Sequence, residues 1–74
     1  MNKWVINTKE NKMCNLSNVI DIVISANYLI FTTIDSREVR VMYGAEKDLK
    51  KVFDAIKSFL VNNSNILDVC NYMA

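Results

Sequence analysis

No histidine and no proline occur in this chain, and Gly44 is its only glycine. Without His, no Ser/His/Asp or Cys/His nucleophilic set can be built, and the most common neutral metal ligand is missing. With one Gly and no Pro there is no Pro/Gly-rich linker and no glycine loop to cradle a phosphate. No apolar run reaches about 18 residues, so no membrane-spanning helix is expected. The opening MNKWVINTKE alternates and soon turns polar, without the apolar core of a signal peptide. Zinc, EF-hand, Walker and dinucleotide motifs are all absent. Lys, Asp, Tyr and Cys are present, but no spacing selects a catalytic site from them. The expectation is a cytoplasmic non-enzyme with no catalytic residues, no metal and no cofactor.

Net charge is also scarce: 9 Lys+Arg stand against 8 Asp+Glu. A near-neutral chain lacks the surplus of cations that drives non-specific binding to nucleic acid. It also lacks the self-repulsion that keeps copies apart. The two cysteines, Cys14 and Cys70, lie far apart in sequence and are read as reduced thiols that pack as small hydrophobes. Two thiols without imidazole are too few ligands for a zinc site.

What the chain does have is apolar residues, 51% of 74. A chain this short buries only about 60% of the surface its unfolded form exposes. Its core supplies no more than about 3–5 kcal/mol unaided. Surplus apolar area is therefore expected to meet another surface.

Residues 3–8, KWVINT, alternate Trp4 and Ile6 against Val5 and Asn7 and read as a strand. MCNL (13–16) can pair back on it, and Ser17-Asn18 supply a bend. Val19–Ser25 and Tyr28–Ile34 are a long pair rich in β-branched and aromatic residues. Asn27 tolerates the positive φ of a tight turn between them. Glu38–Tyr43 alternates once more. After Gly44 the period changes: Leu49, Val52, Phe53, Ile56, Phe59 and Leu60 form one helical stripe. Glu46 and Asp48 sit in the first turn and Lys57 near the end, as the helix dipole favours. The tail fits either a helix (Ile66, Val69, Cys70, Met73) or a strand (Leu67, Val69, Met73), and a short strand is preferred. The expected architecture is one α+β domain over residues 1–74. A curved, four- to five-stranded antiparallel meander (3–43) precedes one C-terminal amphipathic helix (45–61), packed on one sheet face, and a short segment (65–73).

The hairpin NVIDIVISANYLIFTTI (18–34) is apolar on both sides. A two-residue turn at Ala26-Asn27 sets Ile24 opposite Leu29 and Ile22 opposite Phe31, and cross-strand partners share a face. One face then carries Ile20, Ile22, Ile24, Leu29 and Phe31, joined by Arg40 and Met42 if a two-residue turn falls at Ser36-Arg37. The other carries Val19, Val23, Tyr28, Ile30, Ile34, Val39, Val41 and Tyr43, with Asp21 and Thr32 in its middle. A helix of about 25 Å covers one face of a small sheet. The second must be docked against another chain, curled into a barrel, or covered by the tail, in that order of expectation. Val23, Tyr28, Ile30, Ile34, Val39, Val41 and Tyr43 are the expected partner or oligomer contacts. Lys47, Lys50, Lys51 and Lys57 on the helix could meet an anionic partner, although Asp48 and Asp54 dilute them. Trp4 and Tyr28 could stack on bases, though strand aromatics in small proteins usually belong to the core.

The order of landmarks resembles very short proteins of low-GC Gram-positive bacteria and their phages. It rests on Trp4, Asn7, Asn15-Leu16-Ser17-Asn18, Ile22, Ile24 and a helix with Val52, Ile56 and Leu60. It spans residues 3–61 and implies a curved antiparallel sheet crossed by one helix. The abundance of Asn, Lys and Ile suits the same low-GC origin. Small phage proteins of this build often bind host enzymes, as anti-defence and anti-CRISPR inhibitors do. The expected function is a non-catalytic protein-binding module of that kind. It would associate with itself as a dimer or larger, and with a host protein. A nucleic-acid accessory protein using the helix lysines and a structural homo-oligomer are the alternatives.

Overall fold

A computed structural model describes residues 2–72, so Met73, counted in the tail reading, lies outside the described residues. The fold is α+β, with two three-stranded sheets and one helix. In the first sheet, strand β1 (Trp4–Asn7) lies between antiparallel β2 (Lys12–Asn15) and parallel β6 (Ile66–Asp68). The second is the antiparallel series β3 (Val19–Ser25), β4 (Tyr28–Thr33) and β5 (Glu38–Tyr43). Helix α1 (Glu46–Phe59) falls between β5 and β6.

The single four- to five-stranded meander is therefore not found, and the helix is mid-chain rather than C-terminal. The meander breaks at Leu16–Asn18, which form one 3-10 turn. There the Asn15 side-chain oxygen accepts from the Ser17 N–H at 2.9 Å. A side chain bonding its own backbone two residues on offers an alternative to continuing the ladder. The tail forms β6 and then a 3-10 turn over Val69–Tyr72, with Val69 fully buried. Neither sheet closes into a barrel among the described residues.

Register decides which side chains face the core. The Ala26-Asn27 turn pairs Ser25 with Tyr28 and Ile24 with Leu29, both turn residues having positive φ (51° and 65°). The next connection differs from the two-residue turn expected at Ser36-Arg37. Ser36 N–H donates to Thr33 O, Thr33 N–H donates to Arg37 O, and Ser36 has φ 65°. This is the three-residue loop in which a type I turn ends on a left-handed residue. It pairs Phe31 with Val39 and Ile30 with Arg40. A change of register by an odd number of residues moves every side chain of a strand to the opposite face. Val39 thus packs against the core and Arg40 points away from it.

A bulge at Val41 then shifts the phase again, so Leu29 pairs with Met42 and Tyr28 with Tyr43. Val41 and Met42 are both buried, at 2% and 1% exposure. A second bulge in β3, at Ile20, returns Val19 to the core side and leaves Ile20 exposed. Each bulge inserts one unpaired residue and re-aims its neighbours. Val19, Val39 and Val41 are therefore core residues rather than members of the second face. Ile34 lies in the loop beyond β4.

The core joins Leu29, Phe31, Val41 and Met42 from the second sheet to Val5 and Cys14 from the first. Leu49, Val52, Ile56 and Phe59 of α1 fill it, with Phe53 half-buried at its margin. Leu60, counted in the helical stripe, lies just past the helix and is exposed. Instead of a glycine cap, the helix end meets Lys3. Its ammonium donates to the carbonyls of Phe59 (2.8 Å), Asn62 (2.8 Å) and Ser64 (2.6 Å) and lies 4.6 Å from the Phe59 ring centre. A cation at the carbonyl end of a helix is favoured by the dipole and by the unpaired acceptors there.

Candidate interaction surface

The outer face of the second sheet is a grid of three rows. Ser25, Tyr28 and Tyr43 form the row nearest the Ala26-Asn27 turn. Val23, Ile30 and Arg40 form the middle row, and Asp21, Thr32 and Glu38 the far row. No element of the described residues covers this face: Val23 is 40% and Tyr43 57% exposed. The Tyr28 and Tyr43 rings meet edge to face, centroids 5.1 Å apart, and the Arg40 guanidinium lies 5.3 Å from the Tyr28 ring centre. The two tyrosines and the arginine are thus held in place by one another. Preset aromatic and Arg side chains are the residue types on which binding energy concentrates.

Of the seven contacts read from the sequence, Val23, Tyr28, Ile30 and Tyr43 come together on this grid. Ile34 lies two positions beyond Thr32 and is 66% exposed. Val39 and Val41 are turned inward by the loop and the bulge. Arg40 was assigned to the helix-covered face and belongs here. The signal was in the residue itself, because a register that buries an unpaired guanidinium is costly.

The bulge that turns Val41 inward, next to Arg40, is tied to the first sheet by two side chains. Asn7 Nδ2 donates to Val41 O at 2.9 Å, and Lys12 Nζ donates to Arg40 O at 2.7 Å. Asn7 is fully buried, and its side-chain oxygen accepts from Glu10 N–H (3.2 Å) and from the Cys70 thiol (3.1 Å). Both cysteines are free thiols, and burial pushes the Cys14 thiol pKa up. Asp68 is held below the usual carboxylate range by the Cys70 N–H and then by the Thr8 hydroxyl. Asp35, in the β4–β5 loop, is lowered by the Thr33 hydroxyl first and by Arg37 beside it.

A second uncovered surface escaped the sequence reading. Trp4, Ile6, Met13 and Ile66 share the outer face of the first sheet, with Met13 and Ile66 exposed. The alternation of KWVINT showed one half of it, but pairing with Ile66 needs a parallel strand from the far end of the chain. On α1, Lys47, Lys50, Lys51 and Lys57 are all exposed, and Lys57 pairs with Asp54 at 3.5 Å. No cluster of three potential metal-ligating side chains occurs among the described residues. No helix there is long and apolar enough to cross a membrane.

The fold and this surface define a small α+β protein with an open, aromatic-bearing sheet face. No protein-family model, curated protein or solved structure matches the chain.

Proposed function

We propose that this protein is a non-catalytic protein-binding module whose contact surface is the outer face of β3, β4 and β5. The observation that carries the reading is the uncovered grid of Val23, Tyr28, Ile30 and Tyr43 around Arg40. Asp21 and Glu38 at one end of the grid outnumber Arg40, which disfavours phosphate and favours a protein. The first sheet's outer face is built on strands of three and four residues and has fewer features to orient a partner.

The finer reading is a phage or mobile-element inhibitor of a host defence enzyme, anti-CRISPR-like and acting in the host cytoplasm. It is supported by small size, by residue usage suited to a low-GC genome, and by the resemblance to short phage proteins. A nucleic-acid role is the second reading, favoured only by Lys47, Lys50 and Lys51, which have no ion-pair partner among the described residues.

Immobilised protein tests the first reading on extracts of a low-GC Gram-positive host. One host protein should be retained by the wild type and by the Met13→Glu variant, and lost with Val23→Glu and Tyr43→Ala. Loss with Met13→Glu alone would move the site to the first sheet. Retention on DNA that falls steeply with salt would promote the second reading.

A further inference from the structure

We infer that the open face of β3, β4 and β5 pairs two copies of this chain about a two-fold axis crossing the strands, so that Arg40 of each meets Glu38 of the other. This rests on the protein-binding reading of that face and names one occupant for it. Three ion pairs occur among the described residues: Lys12–Glu10, Arg37–Asp35 and Lys57–Asp54. None involves Asp21, Glu38 or Arg40, the three charges on the grid. An uncovered apolar face thus carries opposite charges that form no ion pair among the described residues, Arg40 meeting only the Tyr28 ring.

The arrangement of those charges points to a second copy. Glu38 and Arg40 lie two residues apart on one face of β5, in the rows of Thr32 and Ile30. Consecutive rows are about 6.8 Å apart. A two-fold axis lying across the strands, midway between these rows, exchanges them. Each arginine is then set against the other copy's glutamate, and like charges are kept one row apart. The same operation lays Ile30 on the second copy's Thr32. Asp21 is laid on the second copy's Val23 at the outer strand β3, where the sheet edge leaves its carboxylate access to water.

The area sets the strength. Three strands at about 4.8 Å by three rows at about 6.8 Å give roughly 290 Å² in projection. A standard stable interface buries about 800 Å² per partner. The pair is therefore a weak, reversible dimer with Kd above about 1 µM. Its charge pairs set register more than affinity.

Sedimentation at low salt, from about 1 µM to about 1 mM, reads this directly. The wild type should pass from monomer to dimer across the range. Glu38→Arg and Arg40→Glu, each with unchanged circular dichroism, should each weaken association by at least about tenfold. The double variant Glu38→Arg/Arg40→Glu should restore it to within about threefold of the wild type. A wild type that stays monomeric at about 1 mM overturns the pairing, as do single variants that associate normally or a double variant that does not recover. Such a result leaves the face open to a different protein, whose loss is read separately from Val23→Glu and Tyr43→Ala in the capture experiment.

Discussion

Left-handed backbone occurs at Asn11, Ala26, Asn27 and Ser36, with φ of 56°, 51°, 65° and 65°, and the one glycine is not among them. Asn bears this conformation well, but for a residue such as Ala it costs about 1–2 kcal/mol. The tight β3–β4 turn demands positive φ at both central positions, and Ala26 meets that demand under strain. Ala26→Gly should therefore raise stability by about 0.5–1 kcal/mol, even after the entropy of a freer unfolded chain. A shift of the urea midpoint to higher concentration checks it, and no gain would mean that the strain is relieved elsewhere. Gly44 can spare its freedom, since an added Cβ would meet only Leu49 and Met42 side-chain atoms at 3.8 Å. Asn27 could be read from the sequence because its residue type is a known answer to a known strain. Ala26 and Ser36 could not, because nothing in their chemistry announces a left-handed position.

Helix α1, expected over 45–61 and found over Glu46–Phe59, shows how an element can be legible while the group that caps it is not. Its apolar spacing, first-turn acids and Lys57 all stand where the period and the dipole place them. The cation at its carbonyl end is Lys3, 56 residues away in sequence from Phe59. Lys3 is buried, at 8% exposure, and its ammonium bonds three carbonyls and no carboxylate among the described residues. Lys3→Met keeps most of the stem but leaves those acceptors without a donor, at a cost of about 2–3 kcal/mol. Lys3→Arg should not rescue it, because a planar fork does not fit a site built around a compact ammonium. Urea unfolding of the three proteins checks this, and a Met variant as stable as the wild type would refute the cap. The short strand expected in the tail forms as β6, but its partner is harder to foresee. Three residues carry too little periodicity to reveal a parallel partner at the opposite end of the chain.

For the molecule as a whole, the two bulges and the β4–β5 loop divide the apolar residues between core and open face. Val41 and Val23 look alike in the sequence, each a valine on an alternating strand. The structure gives them opposite roles, with exposures of 2% and 40%. Val41→Glu places a carboxylate in a dry core and should cost at least about 3 kcal/mol or abolish folding. Val23→Glu should cost under about 0.5 kcal/mol. Thermal unfolding followed by circular dichroism compares them directly, and equal midpoints would mean that Val41 is not enclosed. The surplus of apolar strand surface was legible in composition and alternation alone. Which side chains make up that surplus depended on register, and an odd shift exchanges the two faces.

The sequence by itself determined the α+β character, the Ala26-Asn27 hairpin, the helix and its buried stripe, and an excess of apolar area over what one helix can shelter. These follow from local periodicity and residue chemistry, which act within a few residues along the chain. Tertiary structure alone decided the split into two sheets, the capping of α1 by Lys3 and the parallel docking of β6. Each of these joins groups distant in sequence, where backbone acceptors and buried volume, rather than local preference, select the partner.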